Sequence, residues 1–113
     1  VQVGMDTPQV TPEDLHRVSE AARTGDAVLG PAADGGWWVL ALSDASAATA
    51  LVGVPMSRPD TFAATRRALT AAGQTVRTGH ELTDVDTVDD IEAVRQACAT
   101  DSRFARAVRE VLV

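Results

Sequence analysis

The chain has 113 residues, 45% of them hydrophobic and 23% charged, with a formal charge of -6, ten basic residues that are all arginine, and one cysteine. A phosphate-backbone binder needs a cationic face, so this balance excludes nucleic acid as a partner, and no uncharged apolar run is long enough to span a bilayer. Cys98 has no partner for an internal disulfide and no signal-peptide pattern precedes it, so a reducing cytoplasm is the expected compartment. One domain is expected, burying ~60 to ~68% of its unfolded surface. The chain opens on Val1, already inside the apolar stretch "VQVGM", and reads as a piece of a longer protein.

Residues 1–5 predict a short buried strand ending at Asp6. In "TPEDLHRVSEAARTGD", Thr11 serves as N-cap, Pro12 takes the first helical position and Asp14 completes a capping box. Leu15, Val18 and Ala22 recur at helical spacing and Gly25 closes the helix. "DAVLG" predicts a strand, "PAADGG" a turn-rich loop, and "WWVLAL" a second strand that is apolar on both faces, as in a covered sheet. "DASAATALVG" predicts a short helix, "VPMSRP" a loop, and "DTFAATRRALTAAG" a helix capped by Asp60 and ended by Gly73. "QTVRT" reads as an edge-like strand. A polar loop then leads to a helix capped by Thr87 with Asp90, and Asp101 caps a last amphipathic helix through "RFARAVREVLV". Alternating strands and helices predict an α/β fold with a mainly parallel sheet and helices on both faces.

Three acidic loops carry the candidate chemistry: "GMDTP" with Asp6, "ADGG" with Asp34, and "DVDTVDD" with Asp84 and Asp86. Asp6 follows a strand, where open α/β sheets place their ligands. Carboxylates converging from strand ends, with no histidine or cysteine cluster, are hard oxygen donors suited to Mg²⁺ or Mn²⁺ and not to zinc. Each acid also has a structural reading. Asp6 before Thr-Pro opens a turn, Asp34-Gly35 suits a hairpin, and the last loop holds a helix cap.

"VGMDTPQVTPEDL", "AVLGPAADGGWWVLAL", "VPMSRPDT" with "TRRAL", and "LTDVDTVDDIEAV" together resemble the C-terminal half of a bacterial family of glycosyltransferase-A-like proteins, the nucleotide-diphospho-sugar transferases. The resemblance runs in unbroken order from Val3 to about Val94. It implies a Rossmann-like sheet that binds a nucleoside diphospho-sugar or nucleoside triphosphate with a divalent cation, Mn²⁺ or Mg²⁺. Asp6 holds the place of a metal-ligating Asp at a strand end, and Asp86 with Asp84 matches a second carboxylate in a pattern like D-x-D-T-P-E-D. The chain departs from that pattern at Val88, where relatives often carry proline. On this reading Asp34 faces the donor in a catalytic role, and Gly35 and Gly36 let backbone approach the sugar or ribose closely. Consecutive strand residues face opposite ways, so one of Trp37 and Trp38 packs under a helix while the other is free to line the pocket. Arg58, and Arg66 or Arg67, are phosphate-clamp candidates, and His80 lies just before the acidic motif.

The N-terminal half that grips base and phosphates in such relatives is not in this sequence. The chain is therefore expected to be the C-terminal part, residues 1–113, of one glycosyltransferase-A-like domain. Its bare N-terminal strand edge predicts a homodimer. Two functions of different class follow: a metal-dependent transferase on a nucleoside diphospho-sugar, with nucleotidyl transfer as its near variant, and a truncated, non-catalytic binding or assembly module.

Overall fold

A computed structural model describes residues 1–111. Four strands form one sheet in the order β1-β3-β2-β4, with β1 at Gln2–Val3, β2 at Ala27–Pro31, β3 at Trp37–Ala41 and β4 at Val76–Thr78. The sheet is mixed, which corrects the mainly parallel expectation. β3 runs antiparallel to both β1 and β2, and only β2 and β4 are parallel. The reason lies in the connections. A parallel crossover needs a dozen or more residues, whereas β2 ends at Pro31 and β3 begins at Trp37, so the chain can only turn back. An apolar run on both faces looks the same in either direction.

Because β1 and β2 both oppose β3, and β4 follows β2, three strands point one way. Their C-terminal ends, together with the start of β3, share one edge of the sheet. The acidic loops leave from that edge.

Helix α1, Pro12–Ala22, starts as predicted: the Thr11 hydroxyl accepts from Asp14 N at 3.1 Å while the Asp14 carboxylate accepts from Thr11 N at 3.0 Å. Its inward residues Val18 and Ala22 pack with Val28, Trp38 and Val39 on one face of the sheet. On the other face, Leu69 of α2, Thr61–Ala71, packs with Ala27, Leu29 and Leu40, flanked by Leu51 of a 3₁₀ helix, Ala45–Leu51, and by Phe62. Both faces are therefore covered, and each large buried side chain contributes about 1.5–3 kcal/mol of transfer free energy.

Trp38 is the core tryptophan. It is 1% exposed, and its Nε1 donates to the His80 carbonyl at 2.9 Å.

Three local expectations need correction. The N-terminal strand is an edge, not a buried element, with Val1 68% and Met5 95% exposed. Asp60 sits at the N-cap of α2 without capping it, because its carboxylate turns to Arg58 at 3.1 Å. The last helix, α4 at Arg103–Val111, is capped by the Ser102 hydroxyl, which accepts from Ala105 N at 3.1 Å, and not by Asp101. The predicted end of that helix at residues 112–113 lies outside the described residues. Helix α3, Val88–Ala97, keeps its expected start, with the Asp90 carboxylate accepting from Thr87 N at 3.0 Å.

Candidate functional site

Each acid is fixed by its own stretch of backbone. Asp34 opens the β2–β3 turn, where its Oδ1 accepts from Gly36 N at 2.9 Å. One carboxylate oxygen is thus used in an Asx turn. Gly35 follows at φ +93, and a Cβ there would come within 1.9 Å of the Pro59 carbonyl oxygen. Only glycine fits that position. Its own carbonyl accepts from Phe62 N at 2.8 Å, so the turn is locked to the start of α2.

The last acidic loop is stitched to the other two. Leu82 N donates to Pro31 O at 3.0 Å, Ala33 N donates to Leu82 O at 2.9 Å, and Val85 N donates to Asp6 O at 2.8 Å. Gln9, 7% exposed, donates from Nε2 to Thr83 O at 2.7 Å. These bonds bring loops that are distant in sequence to one place.

The result is a cleft of about 500 Å³, lined by Asp6, Asp34, Asp84 and Asp86 together with Gly36, Trp37 and Arg58. All four acids singled out in the sequence line it, as do Gly36, Trp37 and Arg58. Gly35 is not among the lining residues, and its close approach is to Pro59. Of the two tryptophans, Trp37 is the one that reaches the cleft. Within it, ligand oxygens of Asp34, Asp84 and Asp86 lie within 4.8 Å of one another, so these three could hold a metal ion. Asp6 stands in the same cleft outside that triad, which includes Asp34.

Crowding of like charge shows in the carboxyls themselves. Partial burial, with Asp34 and Asp86 alongside, pushes the Asp84 carboxyl up to about 6. Desolvation, then the charges of Asp34 and Asp6, raises Asp86 as well. Oxygen-only donors on a shared face fit a hard cation, whose charge would relieve the repulsion.

One wall of the cleft was not legible as a site. Met56, Ser57, Pro59 and Thr61 also line it. Thr61, 2% exposed, accepts from Arg58 N at 3.0 Å and donates to Pro55 O at 3.0 Å, which staples the loop carrying Arg58. Ser57 is the only non-glycine with positive φ among the described residues, at +59. A threonine opening a helix was the one sequence signal for that staple. Arg58 is the single cation among the lining residues, against four carboxylates.

Other expectations fall elsewhere. Arg66 and Arg67 flank a separate depression on α2 with Thr70 and Ala71. His80 packs its ring 5.1 Å from that of Trp38 and lies 3.8 Å from Asp14, on the α1 side.

Among the described residues no helix is long and apolar enough to cross a membrane. No curated protein and no solved structure matches the chain. A family model does match, over residues 1–58, a span that takes in Asp6, Asp34, Trp37 and Arg58 and stops short of Asp84 and Asp86. With half its length so matched, the chain belongs to the bacterial family described as "Uncharacterized protein conserved in bacteria (DUF2064)".

Proposed function

We propose that the cleft is the donor site of a metal-dependent transferase acting on a nucleoside diphospho-sugar. The observation that carries this reading is the convergence of Asp34, Asp84 and Asp86 within 4.8 Å, at the C-terminal edge of three co-directional strands, beside one arginine and one tryptophan. Open α/β sheets place ligands at that edge. Asp34, Asp84 and Asp86 hold the cation, with Asp6 in the same cleft. A divalent cation there supplies Lewis acidity to the diphosphate oxygen that departs when the glycosyl group is transferred. Arg58 offers a planar pair of donors to a phosphate oxygen, and Trp37 gives the sugar or ribose a flat apolar wall. Nucleotidyl transfer uses the same cation and clamp and is the nearest variant.

The test is a thermal-shift titration with Mn²⁺ and a panel of nucleoside diphosphates and their sugars, on the wild type and on Asp86→Asn and Asp6→Asn. Stabilisation that needs metal and nucleotide together, and that Asp86→Asn abolishes, is the expected result. A folded chain that answers to neither is a non-catalytic binding or assembly module, and the transferase reading is then wrong.

The homodimer belongs to the same proposal. It is supported by the free edge of β1 and by the absence of any charged side chain from Val1 to Met5. Sedimentation velocity at micromolar concentration reads it directly, and a clean monomer counts against it.

A further inference from the structure

We infer that Asp60 is a positioning residue of the acid cleft, which holds the Arg58 guanidinium on a carboxylate outside the cleft wall until a diphosphate takes its place; the inference rests on the reading of the cleft as the donor site. Arg58 lines the cleft together with four carboxylates, Asp6, Asp34, Asp84 and Asp86. Among the described residues its one ion-pair partner is none of these but Asp60, which is not part of the lining. Asp60 Oδ1 stands 3.1 Å from Arg58 Nε, and its Oδ2 accepts from Nη2 at 3.5 Å, so the carboxylate lies along one edge of the guanidinium. A phosphate engages arginine through the same kind of edge.

The backbone fixes this pairing. Arg58 N donates to the buried Thr61 hydroxyl at 3.0 Å, Thr61 N donates to Arg58 O at 3.2 Å, and Ala64 N donates to Asp60 O at 2.9 Å. Pro59, with its ring-fixed φ, stands between the two charged residues, and its carbonyl lies close against Gly35 in the turn that carries Asp34. The pair is thus preset on a pinned segment tied to the cation triad. An arginine paired with a cleft acid would stand where the cation binds, and one paired with Asp60 does not. The latch is also weak enough to open. Its side chains are 58% and 50% exposed, and an exposed pair of this kind shifts an equilibrium by no more than about fivefold. A diphosphate attracted by the bound cation competes for the same N–H donors, and the charge of Asp60 opposes its approach until the exchange is made.

The experiment is a calorimetric titration with Mg²⁺ alone and then with pyrophosphate in saturating Mg²⁺, pyrophosphate being the charged group common to nucleoside diphosphates. Wild type, Asp60→Asn, Asp60→Glu, Arg58→Ala and the double variant Arg58→Ala/Asp60→Asn are compared. Asp60→Asn should bind pyrophosphate about two- to fivefold more tightly than wild type, with Mg²⁺ affinity unchanged and the melting temperature within a few degrees. Asp60→Glu, which restores the carboxylate, should return pyrophosphate affinity toward the wild-type value. In the Arg58→Ala background the substitution Asp60→Asn should lose most of its effect, since the latch then has nothing to hold. The Arg58 Nε–H resonance, assigned by its loss in Arg58→Ala, should move in Asp60→Asn and, in the wild type, on addition of pyrophosphate. Weaker pyrophosphate binding by Asp60→Asn would mean that Asp60 aims Arg58 at the ligand and does not hold it back. Equal tightening in the Arg58→Ala background would reduce Asp60 to a plain surface charge, and loss of Mg²⁺ binding in Asp60→Asn would make it a cation ligand. Each of these overturns the inference and leaves the donor reading standing. A wild type that takes up Mg²⁺ while neither it nor any variant binds pyrophosphate brings down the donor reading and the latch with it.

Discussion

Two glycines in the same left-handed region separate conformational need from contact. Gly25 at φ +98 has nothing within 4 Å of an added Cβ, whereas Gly35 at φ +93 has the Pro59 carbonyl oxygen at 1.9 Å. Gly25→Ala should therefore cost about 1 kcal/mol, the backbone penalty alone. Gly35→Ala adds an overpacking cost and should reach about 2–4 kcal/mol, a fall in melting temperature of roughly 10 °C or more. Equal melting temperatures for the two variants would show that Pro59 moves aside freely. The carboxyls make a second residue-scale prediction. Asp84, raised to about 6, is largely protonated below that pH, so divalent-cation affinity should climb as pH rises through 6 and level off above 7. The stability sign is opposite. A carboxyl raised in the folded state contributes stability that is present below its unfolded value and lost as pH rises through its folded one. In metal-free protein at pH 7, Asp84→Asn should thus be the more stable form, by no more than about 1 kcal/mol once solvent screening is allowed for. Melting curves from pH 4 to 8 with and without Mg²⁺ check both signs.

At the scale of elements, the loop from Pro55 to Asp60 owes its shape to one hydroxyl. Thr61→Val keeps the volume and removes both hydrogen bonds, leaving Arg58 N and Pro55 O without their partner. A loss of about 1–3 kcal/mol is expected, with nucleotide binding weakened through a loosened Arg58 and cation binding unchanged. A variant that melts as the wild type does and binds nucleotide equally well would remove Thr61 from that role. Elements that declare themselves locally were legible beforehand: the Thr11–Asp14 box, set by side chains three residues apart, formed in both directions, and at Thr87–Asp90 the Asp90 carboxylate accepts from Thr87 N as read. The acidic loops were legible as a set because each follows a strand. What failed depends on neighbours distant in sequence. Val1 to Met5 is apolar enough for a core strand, yet its burial depends on a second partner strand, and it has only β3. The direction of β3 follows from the length of its connection and not from its own residues. Asp101 and Ser102 are adjacent and equally good caps, and only the start of α4 decides between them. For the same reason, the role of Trp37 could not be separated from that of Trp38 until the sheet had two distinct faces.

Over the whole molecule, charge sets the order in which ligands can enter the cleft. The chain carries -6, and the cleft faces an incoming diphosphate with four carboxylates and one guanidinium. A diphosphate without a cation meets net repulsion, only partly screened over the ~8–10 Å Debye length of ordinary buffers. The cation should consequently bind to the free protein, and nucleotide should bind only afterwards. On the proposed reading Arg58 divides the two steps, because it is assigned the phosphate contact and stands outside the oxygen triad. Its guanidinium is held by Asp60 at 3.1 Å, with the side chain 58% exposed, so it is free to exchange that surface pair for a phosphate. Arg58→Ala should then leave Mn²⁺ affinity unchanged or slightly tighter, since a nearby positive charge is lost. Nucleoside diphosphate affinity in the presence of Mn²⁺ should fall roughly 10- to 100-fold, the value of a charge-assisted pair. Arg58→Lys, which keeps the charge and gives up the planar fork, should fall between the two. Calorimetric titration of each variant with Mn²⁺ and then with nucleotide separates the steps. Nucleotide binding to Arg58→Ala at wild-type strength would mean that the phosphates lie elsewhere and that the acidic cleft holds a cation for some other purpose.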